Sequence, residues 1–264
     1  MKATSQFLIA GAAFLSGVAS AGIHVENVTR DATTLEQKGG TQTTLIQDGK
    51  MRTNASANGA IIVKGSSIIM IDEKRKQYRE MTKEDLQRMA GQVGDAMAKM
   101  QEKMKSMTPE QRAMMEKMMG NRIPGGMGGD GTPDTWESKD LGTSATVEGR
   151  KCHNWNLIRN GAPFEALCVV PYKSLPGKED VRKVFKDMAD AFGDFAKSVP
   201  GFDRSAKARA AIDGYPVRTR LYGSDGTLRA TETIMTKWVE ESIPASAFEI
   251  PAGYTKAELP KLSN

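Results

Sequence analysis

The chain has 264 residues, of which 39% are hydrophobic, 26% charged and 6% aromatic, with a formal net charge of +5. That length accommodates one large domain or two small ones, and the composition suits a soluble globular chain with a modest core. The charge is mild and mixed, as in Asp72-Glu73-Lys74-Arg75-Lys76, and no basic run is interleaved with aromatics, which argues against a nucleic-acid partner.

Residues 1–21 read as a secretory signal. Lys2 supplies the positive start, Phe7 to Val18 is apolar or small, and Ala19-Ser20-Ala21 matches a small-x-small cleavage site. Cleavage after Ala21 is expected, leaving residues 22–264 as one domain and lowering the charge from +5 to +4 through loss of Lys2. The apolar run is too short to span a bilayer, and no later stretch approaches about 18 apolar residues, so no transmembrane segment is expected. No cysteine follows the cleavage site to carry a lipid anchor. The expected location is the periplasm.

The next sixty residues read as strands. Residues 23–36 alternate loosely, Thr41 to Thr53 forms a hairpin turning at Asp48-Gly49, and Ala60 to Lys64 and Ser67 to Asp72 flank Gly65. Gln77 to Met81 extends the last of them into a helical insertion over residues 82–120.

That insertion holds nine of the 16 methionines between Met89 and Met119. Ala90, Val93, Met97, Met100, Met104 and Met107 are spaced four and three apart, which makes them one stripe of a helix. Thr82 is its expected N-cap, with Glu84 and Asp85 in the first turn. A second start signal, Thr108-Pro109-Glu110-Gln111, predicts two helices joined near Ser106, the second carrying Met114, Met115, Met118 and Met119. Three uses of the methionines remain open. They pack against the core, they form an adaptable surface for a hydrophobic or lipid-like ligand (Met97, Met100, Met104, Met107, Met114 and Met118), or their thioethers capture Cu(I).

Residues 121–133 are a glycine-rich loop. Gly126, Gly128 and Gly131 have a GxGxxG spacing, but they follow a helix and lead towards a strand, the reverse of a dinucleotide loop. Thr146 to Ile158 and Pro163 to Val170 read as paired strands around Asn160-Gly161. A hairpin centred on Asn160 sets Cys152 opposite Cys168, and export permits oxidation, so a disulfide is expected between the only two cysteines. In that register Trp155, Leu157, Leu167 and Val169 share the other face, read as the buried one.

Pro176 to Val199 is a second helix, with Val181, Val184, Phe185, Met188, Phe192 and Phe195 on one side. The final third reads as strands: Ala206 to Ile212, Val217 to Tyr222, and Thr227 to Val239 after the Ser224-Asp225-Gly226 turn. Phe248 to Tyr254 is expected to pack on a sheet edge.

The order of these features, with Lys76 to Thr82 before the insertion, Gly214-Tyr215-Pro216-Val217, and Phe248-Glu249-Ile250-Pro251-Ala252-Gly253-Tyr254, resembles a bacterial family of exported proteins carrying a domain of unknown function. More distantly it is similar to the LolA/LolB lipoprotein carriers. The resemblance implies a half-open antiparallel barrel with helices at its mouth. Turn spacing alone indicates an α+β fold, a curved antiparallel sheet with the helical insertion and a second helix on one face. No Ser/His/Asp arrangement, HExxH, P-loop or zinc spacing is found, so no catalytic residue, metal site or cofactor is assigned. The expected function is a non-enzymatic periplasmic carrier of a hydrophobic ligand, with an envelope protein as a further partner. The alternative is a methionine-rich Cu(I)-binding protein.

Overall fold

A computed structural model of the chain describes residues 21–56, 59–108, 110–111, 134–198 and 202–259. Twelve strands and three helices are assigned among them. β1 (Ala21–Asp31), β2 (Gln42–Gln47), β3 (Lys50–Ser56), β4 (Gly59–Lys64), β5 (Ser67–Asp72) and β6 (Gln77–Met81) precede α1 (Lys83–Lys105). After the insertion come β7 (Trp136–Val147), β8 (Arg150–Arg159), β9 (Ala162–Pro171), α2 (Lys178–Ser198) and α3 (Phe202–Ala210). The chain closes with β10 (Gly214–Tyr222), β11 (Leu228–Ser242) and β12 (Thr255–Lys256). All twelve strands form one sheet in the order β12-β6-β5-β4-β3-β2-β1-β11-β10-β9-β8-β7, antiparallel except for the β12–β6 pair. The sheet is curved and its ends do not meet, giving the α+β, half-open arrangement.

Local chemistry sets the turns. Asp48-Gly49, Glu148-Gly149 and Asn160-Gly161 all have positive φ at both residues, the backbone that joins two strands without splaying them. Glu148-Gly149 divides Thr146 to Ile158, expected as one strand, into the end of β7 and the start of β8. A second correction concerns Ala206 to Ile212, expected as a strand. Residues 202–210 are helical, because Ala206, Lys207, Ala208 and Arg209 are good helix formers and Asp203 and Arg209 suit its two ends.

β1 and β11 share the longest pairing and lie at the centre of the sheet, with one bulge at Glu26/Asn27. Ile23, Val25, Ile46, Trp238 and Met235 form the main core with Val181 and Val184 of α2. Gly177, just before α2, has φ +62°, and a Cβ there would sit 2.1 Å from Ile23 Cδ1. Only glycine lets the helix start this close to β1. The Trp238 indole N–H donates to the Pro176 carbonyl at 3.1 Å, fixing the same approach. Val181, Val184 and Met188 face the core as expected, but Phe185 is 43% exposed. The side chains of Phe192 and Phe195 lie outside the described residues.

Both faces of β8 and β9 carry buried side chains. On β8 and β9 the face bearing Cys152, Cys168 and Val170 joins the main core, while Leu157, Leu167 and Val169 pack with Ala208 of α3 and with Ile212. The face carrying Leu157, Leu167 and Val169 is therefore buried as expected, and the cysteine face is buried too. At the other end, Ala60, Ile62, Ile69 and Ile71 pack under Ile250 and Tyr254, so the C-terminal segment does cover the sheet edge. Thr255 and Ala257 donate backbone N–H groups to the Lys76 and Tyr78 carbonyls of β6.

Candidate functional site

The methionine-rich insertion begins as its sequence requires. The Thr82 backbone N–H donates to Asp85 Oδ2 at 3.0 Å, and the Asp85 N–H donates back to Thr82 Oγ1 at 3.2 Å. These contacts close a reciprocal cap. The hydrogen bond from the Thr82 backbone, with help from the Thr82 hydroxyl and Arg88, holds the Asp85 carboxyl below the usual carboxylate range. Leu86 and Ala90 are buried and Val93 is half-buried, which marks the start of the stripe. α1 packs along α2. Lys83 of α1, Asp187 and Asp190 of α2, and Gly65-Ser66 of the β4–β5 turn border a cleft of about 260 Å³. The expected break also occurs, since α1 ends at Lys105 and Thr108 and Gln111 form the second cap at 3.1 and 3.3 Å.

Of the six methionines assigned to ligand binding, Met107 is half-buried beyond the end of α1. Met97, Met100 and Met104 are on α1, but their side chains lie outside the described residues, as do Met114 and Met118 altogether. The glycine-rich loop 121–133 lies outside them as well, and so do residues 1–20 of the expected signal.

The disulfide is formed. Cys152 and Cys168 are bonded, with Cα atoms 5.3 Å apart, and both are fully buried. The register differs from the expected one. Asn154, not Cys152, lies opposite Cys168, because the two-residue turn is centred between Asn160 and Gly161 and a bulge at Leu157/Ile158 shifts the pairing again. The sulfurs therefore bridge diagonal neighbours, which relieves the close approach that directly opposed positions impose.

Below the disulfide, the same face of β8–β10 opens into a groove of about 240 Å³. Two register rows make its floor: Asn154–Cys168–Arg218 and Asn156–Ala166–Arg220. Ala166 leaves room between the longer side chains beside it. Tyr222 and Leu228, paired across the β10–β11 turn, line one side, and Leu141, displaced by the Asp140/Ser144 bulge of β7, lines the other.

The electrostatics of this groove are uneven. Arg218 makes no side-chain hydrogen bond or ion pair among the described residues. Arg220 donates through Nη2 to the Arg229 carbonyl at 2.8 Å, while its buried Nε has no partner. The buried Asn156 Oδ1 is also unpartnered. Glu232 stands opposite Arg220, but its buried carboxylate accepts from Arg30 Nε at 2.9 Å, and Arg30 also pairs with Glu148 at 3.0 Å. The nearby carboxylates are thus committed to Arg30. None of these groove residues is assigned from sequence. Within Arg218-Thr219-Arg220-Leu221-Tyr222, the inward positions are the arginines and tyrosine, whereas Leu221 is 37% exposed. That inversion of the usual pattern is the available signal.

A polar latch holds the rim of this unit. The fully buried Asp134 carboxylate accepts from Arg159 Nε at 2.7 Å and Asn160 Nδ2 at 2.5 Å. Arg159 also lies over the Trp136 ring, 5.8 Å from its centroid.

No protein-family model matches the chain, and no curated protein matches it. Among solved structures, it is similar to an uncharacterized conserved protein from Thermus thermophilus, with a TM-score of 0.42 and 5% identity over 91% of both chains. A crystal structure of MucB in complex with MucA(peri) aligns with a TM-score of 0.30 and 12% identity, over 88% of this chain and 54% of that one. Among the described residues, no helix is long and apolar enough to cross a membrane.

Proposed function

We propose that this chain is an exported, periplasmic binding protein that takes a hydrophobic or lipid-like guest without transforming it. The observation that supports this reading is the groove on β8–β10, where Leu141 and Leu228, 41% and 37% exposed, flank a recess. Exposed apolar side chains gathered at one concavity mark a binding site more often than those scattered singly over a surface. The volume also limits the guest. About 240 Å³ lies below the roughly 300–1,000 Å³ of a pocket that encloses a small ligand whole. A guest would lodge one end in the groove and lay the rest across the leucine rim.

Native mass spectrometry of the mature protein, gently purified from its own compartment, tests this. The expected result is a population carrying added mass that organic extraction removes, identifiable as a lipid-like molecule. A protein that carries no guest, and that takes up no fluorescent lipid probe in titration, would remove the carrier reading. The same measurement on intact cells and fractions reads out cleavage after Ala21 and periplasmic location.

A further inference from the structure

We infer that the β8–β10 groove is an anion receptor, and that Arg218 and Arg220 grip the carboxylate or phosphate end of the guest. This rests on the carrier reading and narrows it to an amphiphile with an acidic head.

The inference starts from the arginines. Guanidinium groups beside apolar side chains normally pair with carboxylates, because an unpaired donor away from water forfeits its hydrogen bonds. Several arginines on the sheet and on α3 follow that rule. Arg30 pairs with Glu232 and Glu148, Arg159 with Asp134, and Arg209 with Glu165. Arg79 and Arg150 donate to backbone carbonyls instead. Arg218 has no partner among the described residues, the buried Arg220 Nε has none either, and both arginines line the recess. They alternate along β10, so their side chains leave the same face two residues apart. The planar fork of arginine matches a two-oxygen anion, and two forks converging on one recess can satisfy it from both sides.

The surroundings favour the same guest. Glu232 is the acidic group facing Arg220, and Arg30 neutralises it. Asp140, beside the displaced Leu141, accepts the Gly142 backbone N–H at 2.8 Å. Ala166 keeps the floor low between Asn156 and Arg220. Apolar Leu141 and Leu228 at the rim would meet the first carbons behind the head group. A wholly apolar guest would leave the guanidinium groups unpaired, and a small hydrophilic anion would leave the leucines unused.

Titration of the intact mature protein with a fluorescent long-chain fatty acid and with its methyl ester tests the inference. The acid is expected to bind at least tenfold more tightly than the ester. The Arg218→Gln/Arg220→Gln double variant is expected to bring the acid down to the ester's affinity. Ala166→Leu is expected to weaken both. Unchanged thermal melting of the variants verifies that the fold persists, and the single variants serve as the readout should the double variant fail to fold. Equal binding of acid and ester, or a double variant that keeps the acid preference, overturns the anion receptor while leaving the carrier reading intact. Failure of both probes to bind overturns both. Inorganic phosphate alone, followed by calorimetry, separates the sources of the anion. Binding weaker than that of the fatty acid fits a head group, whereas binding as tight as that of the fatty acid, abolished by the double variant, assigns the arginines to a free anion and removes the amphiphile.

Discussion

The two wings of the sheet, β2–β6 on one side of the β1–β11 pair and β7–β10 on the other, are built alike and finished differently. Each buries side chains on both faces, although most of β7 is exposed. The first wing is held on one side by noncovalent contact, where Ile250 and Tyr254 pack with Ile62 and Ile69 and Lys64 pairs with Glu249 at 2.8 Å. The second is tied by the Cys152–Cys168 bond, the Asp134–Arg159 latch and the packing of α3. The groove lies on the tied wing. A recess lined by half-buried arginines costs stability, because their desolvation is incompletely offset, and a cross-linked, ion-paired frame tolerates that cost. The difference teaches where the covalent tie was placed: on the wing that carries the recess, not on the other.

The largest expected effect that would break this contrast is loss of the disulfide. The Cys152→Ala/Cys168→Ala variant should lose on the order of 3 kcal/mol of unfolding free energy, as expected for a cross-link closing a loop of this size. Denaturant titration measures it, and a loss below about 1 kcal/mol would show that the wing does not depend on its staple. Leu86→Ala should cost about 2–3 kcal/mol if α1 is bound to the body as its buried start implies. A negligible change would make α1 a peripheral rod. Asp134→Ala should cost about 2 kcal/mol, discounted because Arg159 keeps a third of its side chain in water. Its effect on probe binding should exceed that of Leu86→Ala if the latch supports the groove.

Two smaller effects sharpen the picture through pH. The lowered folded-state value of Asp85 means that its contribution is present above about pH 4, the unfolded value, and is lost as pH falls through the lower folded value. Acid titration of helix content, compared with Asp85→Asn, should therefore show α1 losing support only at the acid end. Tyr172 behaves in the opposite sense. Burial first, then Tyr215 and Asp213, push its hydroxyl up to about 12. Its contribution is complete below about pH 10 and lost as pH rises through the folded value. Burial raises the Tyr215 hydroxyl as well, so phenolate absorbance should show late-titrating tyrosines, and Tyr172→Phe should shrink that step.

Much of the frame is legible because short-range chemistry dictates it. Asp48-Gly49 and Asn160-Gly161 announce their turns, Thr82 its helix, Thr108 a second cap, and two cysteines in an expected exported chain their bond. What misleads is competition among local signals. Gly149 lies inside Thr146 to Ile158, expected as one strand, yet with Glu148 it makes a turn. Ala206 to Ile212 adjoins strands and reads as one. The bulge at Leu157/Ile158 shifts a register that spacing alone cannot reveal. The groove is illegible for another reason. Asn156, Ala166 and Arg220 are neighbours only because β8, β9 and β10 pair, and α2 and α3 intervene between the last two strands. Proximity of that kind comes from topology and leaves no mark in a linear pattern.

The short parallel pairing of Thr255-Lys256 with β6 has a bearing beyond the single molecule. An uncovered flank of backbone donors and acceptors invites a second copy to add its own strand, the first step towards fibrous assembly. Here the chain's own late segment occupies part of that flank. Its brevity, two residues, makes it a weak guard, so conditions that peel it away should be those under which concentrated protein begins to self-associate.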